Sequence, residues 1–191
     1  MKRVLRICAT GLVLAAALGS TSTAIAGSVQ RSTSPVRLFS DGSAVPGAWS
    51  TLLTSSSGAS FQLHTNGLPA GDEVTIWWVI FNHPENCSHG ALGLRCGEGD
   101  LSEPAVDASV VYGAGHVIGG SGMGTFGGWI GVGDTDGALF GPGLTNPLGA
   151  DIHFVVHDHG RLSPQQIAEG THNFGPCVPE CMDMQFSPHE Q

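Results

Sequence analysis

The sequence predicts an all-β chain: an antiparallel β-sandwich or partly open barrel with at most one short helix. Three observations predict it. Short runs of β-branched and aromatic residues alternate with Gly and Pro punctuation. The 29 glycines suit tight turns and bulges better than helices. One run, Val74–Phe81 (VTIWWVIF), is apolar at every position but one, as a strand buried on both faces is.

Taken from the start, residues 1–26 have the parts of a secretory signal peptide. Lys2, Arg3 and Arg6 give a basic start, Leu12–Leu18 an apolar stretch, and Ala24-Ile25-Ala26 a small-residue cleavage site before Gly27. The polar and small residues Gly19–Thr23 break the stretch short of the ~20 apolar residues that a membrane anchor needs. No later stretch is long and apolar enough to span a bilayer as a helix. The expected address is extracellular or periplasmic.

Residues 27–47, rich in Ser, Thr, Gly and Pro, read as a flexible or edge segment. Residues 48–191 read as one β-rich domain. Its strands are expected at Trp49–Thr54, Ser60–His64, Val74–Phe81, Ala108–Ile118, Thr125–Val132, Asp151–His157 and Met182–Phe186, with Asp136-Gly137 turning into Ala138–Phe140. Adjacent Trp77 and Trp78 must face opposite sides of their strand, and core is the expected place for both. One short helix is expected where Ser163-Pro164-Gln165-Gln166 supplies an N-cap, a first-turn proline and a capping-box glutamine, with Gly170 as the stop.

Charge and composition exclude several functions. The seven basic residues include three in the leader, so four remain against sixteen acidic ones, a net charge of −12. Such a chain repels phosphate backbones and anionic lipid, so no nucleic-acid partner is expected. Lys2 is the only lysine. The exported chain therefore has no Schiff-base lysine, no P-loop lysine and no Ser-Lys dyad, and no nucleotide cofactor is expected. A protein or glycan partner remains open.

Four cysteines remain after the leader: Cys87, Cys96, Cys177 and Cys181. An even number in an oxidising compartment favours two disulfides, and the local pairing, Cys87 with Cys96 and Cys177 with Cys181, is the simplest of three. A Cys/His zinc site with His83 and His89 beside Cys87 is the alternative; the Cys spacings, eight and three intervening residues, argue against paired Cys-x2-Cys knuckles.

The densest chemical cluster is His153-Phe154-Val155-Val156-His157-Asp158-His159. On a strand His153, His157 and His159 share one face and Asp158 the other. His157 and His159 are then ~6.7 Å apart along the strand and can converge on one ion, whereas His153 lies ~20 Å from His159. A third ligand must come from elsewhere, with His116, His172 and His189 as candidates. Imidazole donors suit zinc or copper. Calcium is a weaker expectation: Glu98, Asp100 and Glu103, and Asp134 with Asp136, sit in loops, but an EF-hand register from Asp134 puts Thr145 where glutamate belongs. Gly119-Gly120-Ser121-Gly122-Met123 lacks the last glycine of a nucleophile elbow.

The strings LPAGDEVTIWWVIFNHPENC, CGEGDL, FGPGLTNPLGADIHFVVHDHG and CMDMQFSPHE, spanning roughly residues 68–191, resemble a family of secreted bacterial β-rich proteins without an assigned activity. They are distantly similar to chordin-type domains. The resemblance implies an exported β-rich domain with paired cysteines. In that family's pattern the position of His157 is often Arg, which leaves His153 and His159 as the family-like histidines. The function expected is binding or surface association, with a transition-metal site at His157 and His159. The alternatives are a secreted hydrolase using carboxylates or a His-bound metal, and a structural or adhesive envelope protein.

Overall fold

The computed structural model describes residues 28–170 and 174–191. The expected leader and His172 lie outside the described residues. Among the described residues, nine strands form one antiparallel sheet: β1 (Gln30–Leu38), β2 (Ala44–Ser55), β3 (Gly58–Thr65), β4 (Glu73–Phe81), β5 (Ala108–Val117), β6 (Gly124–Gly131), β7 (Ala138–Phe140), β8 (Asp151–Asp158) and β9 (Met182–His189). Their order in the sheet is β6-β3-β2-β1-β9-β8-β4-β5-β7.

The sheet curls until β5 and β6 face each other, the partly open form of the expected all-β fold. No strand ladder joins those two. Their seam is instead packed, with His116 of β5 stacked on Phe126 of β6 at 4.4 Å between ring centroids. Gly128 permits the approach: a Cβ there would lie 2.9 Å from the Gly113 carbonyl oxygen and 2.8 Å from the Phe61 ring.

Alternation along each strand assigns the two faces. The concave face holds the main core, centred on Phe61, Trp78 and Phe154, whose rings lie 4.5–5.0 Å apart in stacked and edge-to-face contacts. The convex face of β4, β5 and β8 carries a second apolar layer, Trp77, Val110 and Val155. Trp77 and Trp78 are both fully buried, on opposite faces as expected. A strand with apolar side chains on both faces needs cover on both, and two loops cover the convex side. One joins β4 to β5 and is closed by Cys87–Cys96; the other joins β8 to β9 and is closed by Cys177–Cys181.

Residues 30–38 are not an edge. They form β1, an interior strand between β2 and β9. Polar composition misled here because the concave face is polar at this end: Ser34 is buried, and so are Ser50 and Ser187, whose hydroxyls bond each other at 2.6 Å. The helix α1 (Pro164–Gly170) begins where the capping box places it, with the Ser163 amide donating to Gln166 Oε1 at 3.0 Å.

Candidate metal centre and the adjoining cleft

The outer face of β8 and the loop that follows it bring His157, His159 and Cys181 together. One donor atom from each lies within 4.8 Å of the other two. The imidazoles meet edge to face at 4.8 Å between centroids. Three local features put them there. A register shift between Val156 and His157 accommodates the crowded strand end. The Val178 amide donates to the His159 carbonyl at 2.9 Å, folding the Cys177–Cys181 loop back on the strand. Phe174 then lies over the site, stacked on Trp77 at 4.9 Å and edge-on to His157 at 5.0 Å.

Each ring is held by a second partner. His157 Nδ1 is 2.6 Å from Asp183 Oδ1. A carboxylate only accepts, so Nδ1 carries the hydrogen toward Asp183. Nε2, on the other side of the ring, is 3.4 Å from the Phe174 carbonyl oxygen. His159 Nε2 is 2.9 Å from Thr75 Oγ1, which also accepts from the Trp77 indole N–H at 2.9 Å. His159 Nδ1 is 3.0 Å from the Pro176 carbonyl and 3.9 Å from Cys181 Sγ. Burial, with a smaller contribution from His157, holds the His159 pKa below the ordinary histidine value against the opposing Pro176 carbonyl. Asp183 and Thr75 are thus the outer partners that metal-binding imidazoles characteristically have.

The other histidines are dispersed. His116 is at the β5–β6 seam, where burial lowers its pKa. His189 is on the concave face, with Nε2 2.7 Å from Ser50 Oγ and Nδ1 bonded to Ser32 Oγ. Burial pushes it down to about 4. Neither belongs to the cluster. His83 and His89 pair with the carboxylates Glu85 and Asp100 in the first disulfide loop.

The acidic loops resolve as structure. Burial would raise the Asp100 pKa, but amide donors from Ser88, Gly97 and His89 and the His89 ring together hold it below the usual carboxylate range. It organises the Cys87–Cys96 loop. Asp134 accepts from the Asp136 amide at 3.0 Å, as a turn aspartate does.

Beyond Phe174 and Asp183 the outer face opens into a cleft of about 430 Å³ between the two disulfide loops, lined chiefly by aromatic and aliphatic side chains. His153 lines it, 6 % exposed, and its Nε2 has no hydrogen-bond partner. Burial, with His189 adding to it, lowers the His153 pKa to about 4, so this ring is neutral at physiological pH.

Sequence reading missed Cys181 and Asp183 as partners of the histidine pair. The Cys-x3-Cys spacing was a signal; the fold-back that delivers it depends on the loop between β8 and β9. No protein-family model, curated protein or solved structure matches the chain. Among the described residues, no helix is long and apolar enough to cross a membrane.

Proposed function

We propose that this is an exported, non-catalytic binding protein that holds a transition metal ion, zinc or copper, at His157, His159 and Cys181, with the Cys177–Cys181 disulfide controlling access. The observation that carries the reading is the convergence of three donor atoms within 4.8 Å, with a partner already orienting each imidazole. A disulfide sulfur is a poor ligand and a thiolate a strong one. With the disulfide closed, only two imidazoles are offered. A dithiol reductant that opens it is itself oxidised to a disulfide and leaves two thiols on this chain. Metal binding then displaces their two protons. Cys177 supplies a fourth ligand, which gives the Cys2His2 donor set of tetrahedral zinc sites; Cys-x3-Cys falls within their cysteine spacing, whereas the histidines are separated by a single residue.

Two disulfides and the leader's composition support export, and the lack of any catalytic constellation in the sequence supports a binding role. The test is a zinc titration of oxidised and dithiol-reduced protein, with elemental analysis of each. The reading predicts one zinc per chain, bound at least 100-fold more tightly after reduction, and loss of that gain in His157→Ala and His159→Ala. Equal affinity in both redox states, or full affinity in both variants, sinks it.

A further inference from the structure

The cleft on the outer face adjoins the metal cluster, sharing Phe174 and Asp183 with its surroundings, but none of the three donor residues lines it. Its volume of about 430 Å³ is in the range of small-molecule sites. Val79, Val110 and Val155 line it, and Phe140 and Phe174, 40 % and 43 % exposed, stand at its margin. Leu92 also lines it, 46 % exposed and held at φ 55°, in the left-handed region that disfavours a bulky side chain.

Two features define what fits. The first is His153 Nε2, buried and without a partner; a polar atom so placed is costly unless something bonds it. The second is charge. Among the described residues, the ionisable carboxylates lining the cleft are Glu98 and Asp183, and no lysine or arginine lines it. Arg37, opposite Phe186 on the neighbouring strand, lies outside the lining. Anionic amphiphiles such as fatty acids therefore find no counter-charge there.

We infer that this cleft binds a small apolar molecule, uncharged or cationic, that makes one hydrogen bond to His153 Nε2. The neutral state of His153 fits that role, because a neutral imidazole nitrogen bonds without bringing a charge into an apolar site.

A matched pair of dyes tests this on the full, disulfide-intact, metal-free protein, so the result is independent of the metal reading. N-phenyl-1-naphthylamine is uncharged and carries one N–H; 1-anilinonaphthalene-8-sulfonate has the same ring system plus a sulfonate. The uncharged dye is expected to bind saturably, one per chain, at least tenfold more tightly than the sulfonate. His153→Leu should weaken it about fivefold, the loss of one hydrogen bond. Glu98→Lys, at an exposed position, should narrow the gap between the dyes. Phe140→Ala, at the half-exposed margin, serves if His153→Leu does not fold, and should weaken the uncharged dye severalfold. No saturable binding, equal binding of both dyes, or unchanged affinity in the folded variants overturns the inference.

Discussion

Replacing His153 with leucine should flatten the dependence of stability on pH. His153 is buried on the cleft side of β8, edge-on to Phe81 at 5.2 Å, and its Nε2 has no partner. Its pKa is about 4 in the folded protein against 6.5 for the free side chain, from burial first and His189 second. The folded value lies below the unfolded one, so the unfolded chain takes the proton first. The full contribution is present above about pH 6.5 and is lost as pH falls from there toward 4. Integrated over that shift, protonation of this one residue costs about 2 kcal/mol between pH 7 and pH 5. Glu73, Asp151 and Asp158, whose pKa values burial raises, act in the opposite direction. They are common to both proteins and cancel in the difference. Urea unfolding of parent and His153→Leu at the two pH values reads it directly: the variant should gain about 2 kcal/mol on the parent between pH 7 and pH 5. A stability difference that stays constant between pH 7 and pH 5 would refute the burial argument.

Two further substitutions test the fold. Phe154→Ala removes the ring that meets both Phe61 and Trp78 in the concave core, and should cost about 3–5 kcal/mol in urea unfolding. A cost below about 1 kcal/mol would mean that the curl does not enclose a packed core. Gly128→Val places side-chain atoms against the Gly113 carbonyl and the Phe61 ring, and should cost about 1–3 kcal/mol by forcing β5 and β6 apart. An unchanged midpoint would mean that the seam is not closed in solution.

The fold was legible where periodicity is strong. VTIWWVIF reads as a doubly buried strand and forms β4, covered on one side by the curl and on the other by the disulfide loops. The strands from β2 to β9 fall on the expected runs, and the capping box starts α1. β1 was illegible because two of its concave-facing residues are serines whose partners come from β9: the Ser32 hydroxyl bonds the His189 ring, and the Ser187 hydroxyl donates to the Ser34 carbonyl, which no local pattern reveals.

The histidine pair was legible from strand spacing, which set His157 and His159 together and His153 apart. Its partners were not. Cys181 and Asp183 come from the far side of a loop, and their approach depends on the bond from the Val178 amide to the His159 carbonyl. His189 illustrates the converse: a histidine that the sequence offers as a third ligand is held instead by the Ser50 and Ser32 hydroxyls on the concave face. The cleft required the three-dimensional meeting of both disulfide loops over β4, β5 and β8.

The most direct measurement of the proposed metal centre is the absorption spectrum of the dithiol-reduced protein titrated with Co²⁺ in place of zinc. Intense thiolate-to-cobalt charge-transfer bands and the d–d bands of tetrahedral coordination are expected, saturating at one Co²⁺ per chain. These should be lost in His157→Ala and Cys181→Ser and absent from the oxidised protein. A reduced protein showing only the weak bands of octahedral, oxygen-ligated cobalt would contradict the proposed centre.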